Sequence, residues 1–125
     1  PDGTSYRRVL HFQQIETGRN TETYALAYYN LAYIAFHEKD YTLAQNRFLK
    51  FTQLEKEENH TALADAYNRI GDCYLHARRF DEAKQYYTKA ENMGTPAGDY
   101  SFYQLALVAG LQKDYDGKVA LLNRM

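Results

Sequence analysis

Residues 66–90, AYNRIGDCYLHARRFDEAKQYYTKA, read as two short helices folded against each other. Tyr67, Ile70, Gly71 and Tyr74 recur at i, i+3, i+4 and i+7, which is one face of a helix with 3.6 residues per turn. After the charged turn Arg78-Arg79-Phe80 a second stripe begins, formed by Ala83, Tyr87 and Ala90. Small Gly71 and Ala83 let two backbones approach, and Tyr67, Tyr74 and Tyr87 fill the space around that contact.

The spelling occurs twice more. Upstream, Tyr28-x2-Leu31-Ala32 leads through Lys39-Asp40-Tyr41 to Ala44-x3-Phe48 and Phe51. Downstream, Phe102-x2-Leu105-Ala106 leads through Lys113-Asp114-Tyr115 to Lys118-x3-Leu122 and Met125. Tyr28 and Tyr67 are 39 residues apart, and Tyr67 and Phe102 are 35 apart. In all three units the first aromatic and the turn aromatic (Tyr41, Phe80, Tyr115) are separated by 13 residues. Three copies with the same internal spacing define a repeat.

The pattern resembles the tetratricopeptide repeat, W-x2-L-G-x2-Y…A-x3-F. The central unit matches through Tyr67, Ile70, Gly71, Tyr74, Ala83 and Tyr87; the first through Tyr28, Leu31, Ala32, Ala44 and Phe48, with Ala35 at the second Tyr position. The third matches through Phe102, Leu105, Ala106 and Leu122, and places Lys118 at the small-residue position. The resemblance implies an all-α, right-handed superhelical array of antiparallel helix hairpins, about seven helices in one domain over residues 1–125.

A half repeat is expected over residues 5–17, because Arg8-Val9-Leu10-His11-Phe12 echoes Arg47-Phe48-Leu49-Lys50-Phe51. Repeat 1 then covers 22–58, repeat 2 covers 61–93, and repeat 3, cut short, covers 96–125. Expected helices run from about 22 to 37, 42 to 57, 61 to 77, 81 to 93 and 96 to 111, with a last one beginning near Asp116. Thr61 is the expected cap of the fourth helix, and Thr95-Pro96 a cap followed by proline at the first helical position. Asp40, Asp81 and Asp116 stand at the starts of second helices, where the dipole favours acids. The chain opens on half a unit without an initial Met, so the sequence reads as an excised segment of a longer protein.

Composition narrows the function. The 125 residues carry a formal charge of −1, which argues against a nucleic-acid surface. Tyrosine is the outlier: 13 Tyr and six Phe without Trp. The longest charge-free run, residues 23–37, is too short and too polar to span a bilayer. A single cysteine makes no internal disulfide and leaves the redox compartment open. The 39-residue spacing is similar to that of bacterial cell-envelope repeat proteins such as outer-membrane assembly lipoproteins; the compartment stays open between envelope and cytoplasm.

The resemblance implies that the first helix of each unit lines a concave groove. Its lining would be Leu26, Tyr29, Asn30, Tyr33 and His37, then Asp65, Asn68, Arg69, Asp72 and His76, then Tyr100, Tyr103, Gln104 and Leu107. Aromatic and polar with one central cation, this wall suits an extended peptide or a helix of a partner protein. The family's clamp for a C-terminal carboxylate needs a Lys that these positions lack. A second expectation is structural: a spacer or oligomerisation segment whose groove is filled by its parent chain, with self-association through the repeat ends.

Nothing points to an enzyme or a cofactor. His37 and His76 occupy equivalent positions, but two imidazoles lack a third ligand, and solvated groove-edge histidines are the better reading. Cys73 beside Tyr74 reads as a buried small hydrophobe. Adjacent pairs such as Glu57-Glu58 and Asp81-Glu82 diverge on a helix, so they form no acid–base dyad. Lys39, Arg78, Arg79 and Lys113 recur at one turn, where Asp40 and Asp114 dilute them. No phosphate loop, zinc spacing or nucleophile elbow is present.

Overall fold

The computed structural model describes residues 21–55 and 59–123, and these are helical throughout apart from short connections. Five helices follow in order: α1 Thr21–His37, α2 Tyr41–Leu54, α3 His60–His76, α4 Phe80–Glu91 and α5 Gly98–Asn123. The expected half repeat, residues 5–17, lies outside the described residues, as do Glu57, Glu58 and Met125.

Each helix packs chiefly on its neighbours in sequence, α1 on α2, α2 on α3, α3 on α4 and α4 on α5. That is the contact pattern of stacked hairpins. Two turns close the first two hairpins in the same way. After α1, the Asp40 amide donates to the Ala35 carbonyl at 3.0 Å; after α3, the Arg79 amide donates to the Tyr74 carbonyl at 2.9 Å. Between them stand Lys39 (φ 65°) and Arg78 (φ 59°), both left-handed without being glycine. That conformation costs a side-chain-bearing residue about 1–2 kcal/mol. Burial of the following helix offsets it, since Ala44, Phe48 and Phe51 of α2 and Ala83, Tyr87 and Ala90 of α4 are fully covered.

Caps fix the starts. Asp40 accepts from the Leu43 amide at 3.2 Å and caps α2. The cap of α3 is Asn59, accepting from the Ala62 amide at 3.2 Å, rather than Thr61. Thr95 Oγ1 accepts from the Ala97 amide at 3.2 Å, and α5 begins at Gly98.

The core has two parts. The larger gathers Ala25, Ala32, Ala35, Phe48, Phe51, Leu63, Ala66, Ile70 and Cys73 between α1, α2 and α3; the smaller joins Phe80, Ala83 and Tyr87 of α4 to Val108 of α5.

The third unit departs from expectation. Instead of a helix ending near Leu111 and another starting near Asp116, α5 runs unbroken for 26 residues. The described residues thus hold five helices, with no turn at Lys113-Asp114-Tyr115. Phe102 and Leu122, expected to pack, are each 67% exposed; Ala106 is exposed and Leu105 only partly covered. The cause is the second stripe. Lys118 replaces the small residue that is Ala44 or Ala83 in the closed hairpins, and Leu122 replaces the larger Phe48 or Tyr87. Less burial is then on offer to offset a left-handed turn at Lys113.

Candidate functional site

The first helices of the units, α1, α3 and the first half of α5, meet along two polar seams built from the residues that the sequence assigns to a groove. At the α1–α3 seam, Tyr29 donates to Asp65 Oδ2 at 2.6 Å and Tyr33 donates to the same oxygen. Arg69 Nε donates to the Tyr33 hydroxyl at 3.1 Å and stands 3.6 Å from Asp65 Oδ1. The Tyr29 and Tyr33 rings also press edge-on against Phe48, at 6.0 and 5.1 Å. Both tyrosines are therefore part of the packing as well as of the surface.

The α3–α5 seam centres on Asp72. It accepts from the Tyr87 hydroxyl, from Tyr100 at 2.8 Å, from Gln104 Nε2 at 3.3 Å and from Arg69 Nη1 at 2.5 Å. Asn68 completes the seam: it donates to the Ala97 carbonyl at 3.1 Å and accepts from Ser101 Oγ at 2.7 Å. Arg69 joins the two seams. Its guanidinium lies 4.9 Å from the centre of the Tyr100 ring and 5.7 Å from that of Phe36.

Burial sorts the sequence-assigned groove residues. Asn68, Asp72 and Gln104 are buried and satisfied behind the surface. Leu26, Tyr29, Tyr33, Asp65 and Arg69 are half-buried, while Asn30, His37, His76, Tyr100, Tyr103 and Leu107 are exposed. The two histidines do not form a common site: His37 lies on Tyr33, with ring centres 5.8 Å apart, and His76 stacks on Tyr41 at 3.9 Å with 9° between planes. Among the described residues no group of three or more His, Cys, Asp or Glu is placed to hold a metal ion.

Sequence reasoning did not place Tyr87, Ser101 or Phe36 in this network. The i, i+4 spacing of Asp65 and Arg69 and the i, i+3 spacing of Arg69 and Asp72 were legible on one helix face. Their partners, 15 to 36 residues away in sequence and on other helices, carried no local signal.

Burial sets the protonation. It raises the Tyr33 hydroxyl to about 12, helped by its bond to Asp65, and raises Tyr100 to about 12, helped by the charge of Asp72. Tyr29 and Tyr87 rise further for the same reasons. Burial alone would lower Arg69, but the facing Asp72 charge and the tyrosines outweigh it and hold the guanidinium charged. Burial also pushes the Cys73 thiol up to about 12, so it stays protonated and inert.

Unfolded tyrosines ionise near pH 10. Raised tyrosines therefore contribute their full stability below pH 10 and lose it as pH climbs through 12. Urea midpoints should be flat with respect to these groups from pH 8 to 9.5 and fall steeply from 10 to 12. Tyr33→Phe together with Tyr100→Phe should shallow that fall, and an unchanged slope would remove both residues from the network.

No helix among the described residues is long and apolar enough to cross a membrane. Comparison with curated proteins gave no match. Comparison with protein families matched the tetratricopeptide repeat over residues 23–94. That stretch contains both closed hairpins, α1–α2 and α3–α4, and stops before α5 begins. With matched hairpin turns, 39-residue spacing and a family match over more than half its length, the chain belongs to the tetratricopeptide repeat family.

Proposed function

We propose that the protein holds a peptide or a segment of a partner protein against the wall formed by α1, α3 and α5. Tetratricopeptide repeats are interaction modules in general and typically bind proteins or peptides. The observation carrying the finer reading is a division of labour across this wall. Its polar groups, Tyr100 among them, are tied to one another at and beneath the surface, while Asn30, Tyr103 and Leu107 stand exposed beside them. A wall ordered in advance spends little conformational entropy on binding, and tyrosine supplies broad contact area with a polar tip.

Charge selects the ligand class. Asp65 and Asp72 outnumber Arg69, whose guanidinium is already bonded to Asp72 and lies close to Asp65. Among the described residues the wall therefore offers no free cation for a terminal carboxylate, and it favours a neutral or basic segment read through its apolar side chains.

The Tyr29 ring, packed on Phe48, makes a poor probe because truncating it costs stability. Tyr103 and Leu107 are the better choice. Peptides selected by display on the native chain should lose at least tenfold in affinity to a Tyr103→Ala, Leu107→Ala double variant whose melt is unchanged. Selected peptides that ignore this variant, or selection that yields none, would end the groove reading and leave the spacer or oligomerisation role.

A further inference from the structure

Lys39 and Arg78, the turn cations that the concave wall does not use, mark a second surface. They stand 39 residues apart at equivalent left-handed positions, φ 65° and 59°. That conformation ends the preceding helix and leaves both side chains exposed, at the same end of the two stacked hairpins. Among the described residues neither side chain makes an ion pair or a hydrogen bond. The charges around them are engaged: Arg79 pairs with Glu82, Lys84 lies 3.8 Å from Asp81, and Asp40 accepts from the Leu43 amide at 3.2 Å.

Beside each cation the surface is hollow. The first hollow, about 330 Å³, lies between the start of α2 and the end of α3, where Lys39, Tyr41, Gln45 and His76 line it together with the capping Asp40. The second, about 230 Å³, is lined by Arg78, Leu75, His76, Phe80 and Leu111. They are one arrangement used twice. Lys39 and Arg78, like Tyr41 and Phe80, are 39 residues apart, and His76 and Leu111 are 35 apart, the two offsets of the repeat. A turn cation, a turn aromatic and a residue of the next helix thus recur, and His76 walls both hollows. Their chemistry differs: Tyr41 stacks on the His76 ring at 3.9 Å in the first, while Leu75, Phe80 and Leu111 make the second largely apolar.

We propose that this turn edge docks an acidic segment of a partner protein. A leucine or phenylalanine side chain of that segment sits among Leu75, Phe80 and Leu111, one carboxylate meets Arg78, and a second meets Lys39 across His76. Charge complementarity names the occupant. The guanidinium of the concave wall is already bonded to Asp72, whereas the turn edge keeps cations without a carboxylate of their own. An arginine in that state takes a carboxylate through two parallel N–H donors, and the apolar hollow beside it fixes which residue comes next. Two such cations on a chain of formal charge −1 give little hold on a nucleic acid, and a phosphate backbone has no apolar side chain to fill the hollow. Of the lining residues only His76 is among those that the sequence assigns to the groove, so the two surfaces are separable.

Short capped peptides carrying Leu or Phe between glutamates, titrated into the full chain at low ionic strength, test it. The best of them should lose at least tenfold in affinity to a Lys39→Gln, Arg78→Gln variant, whose melt should not change because both side chains are exposed. Replacing the peptide's glutamates by glutamines should cost as much. Leu111→Ser should narrow the preference for Leu or Phe over Ala at the central position. Tyr103→Ala with Leu107→Ala should leave this binding unchanged, so that failure of the turn edge and failure of the groove are read apart. The proposal is overturned if no glutamate peptide binds, or if binding ignores the turn cations. It is also overturned if inorganic phosphate or phosphatidylserine vesicles bind as tightly through the same two residues, which would make the edge a surface for any anion.

Discussion

Asp72→Ala is expected to lower stability by about 3–5 kcal/mol, the range for removing one member of a buried ionic network. Asp72 is the shared acceptor for Tyr87, Tyr100, Gln104 and Arg69, and it joins α3 to both α4 and α5. Truncation leaves the buried Tyr87 hydroxyl without its acceptor and deprives Arg69 of its closest counter-charge. An unmade hydrogen bond at a buried donor costs about 1–3 kcal/mol, and two such donors are at stake. For a chain of this length the melting temperature should drop by roughly 10–20 °C. Asp72→Asn keeps the shape and one acceptor oxygen, so its cost should be about half as large. Urea unfolding checks both, and a loss below about 1 kcal/mol for the alanine variant would show that the seam contributes nothing net to the stacking of α5.

Gly71→Leu should be the most damaging substitution within the hairpin. A Cβ built at Gly71 falls 2.7 Å from Cε1 of Tyr87 and 2.9 Å from Cδ1 and Cζ, closer than real carbon contacts allow. The ring cannot swing aside easily: Tyr87 is fully buried, and its hydroxyl donates to Asp72 and accepts from Gln104. Overpacking of this kind costs about 1–3 kcal/mol for small insertions, and a whole leucine side chain should exceed that range. Gly71→Ala separates the terms. It gains about 1 kcal/mol of helix propensity but still sets a methyl against the ring, so we expect a net loss of about 1–2 kcal/mol. Adding Tyr87→Phe releases the ring from Asp72 and should recover part of that loss, giving a coupling of at least about 0.5 kcal/mol in a double-mutant cycle. Additive effects would mean that the ring moves freely and that Gly71 is not held small by Tyr87.

The equivalent residue of the first hairpin is Ala32, facing α2, where Phe48 stands at the Tyr87 position. Both side chains are fully buried. Sequence spelling marked this position as small in all three units. It did not say that only the second requires glycine. That demand arises from a tyrosine whose hydroxyl is pinned on the far side of its ring, a constraint that phenylalanine does not carry.

Sequence by itself determined the class of this protein: helices, paired as hairpins, repeated at near-constant spacing, with Leu31, Ala32, Ala44, Phe48, Ile70, Gly71, Ala83 and Tyr87 turned inward. Those properties are local, because the apolar period and the turn are written within a dozen or so residues of each other. Only the tertiary structure decided which of the residues assigned to a groove stay exposed and whether the third unit closes. Asn68, Asp72 and Gln104 look like surface groups along their own helices; they are buried because of what faces them from another helix some 30 residues away. Likewise the Lys-Asp-Tyr spelling yields a turn after α1 and continuous helix within α5. A turn of that kind forms when the burial on its far side outweighs the strain of a left-handed residue, and that balance belongs to packing between helices.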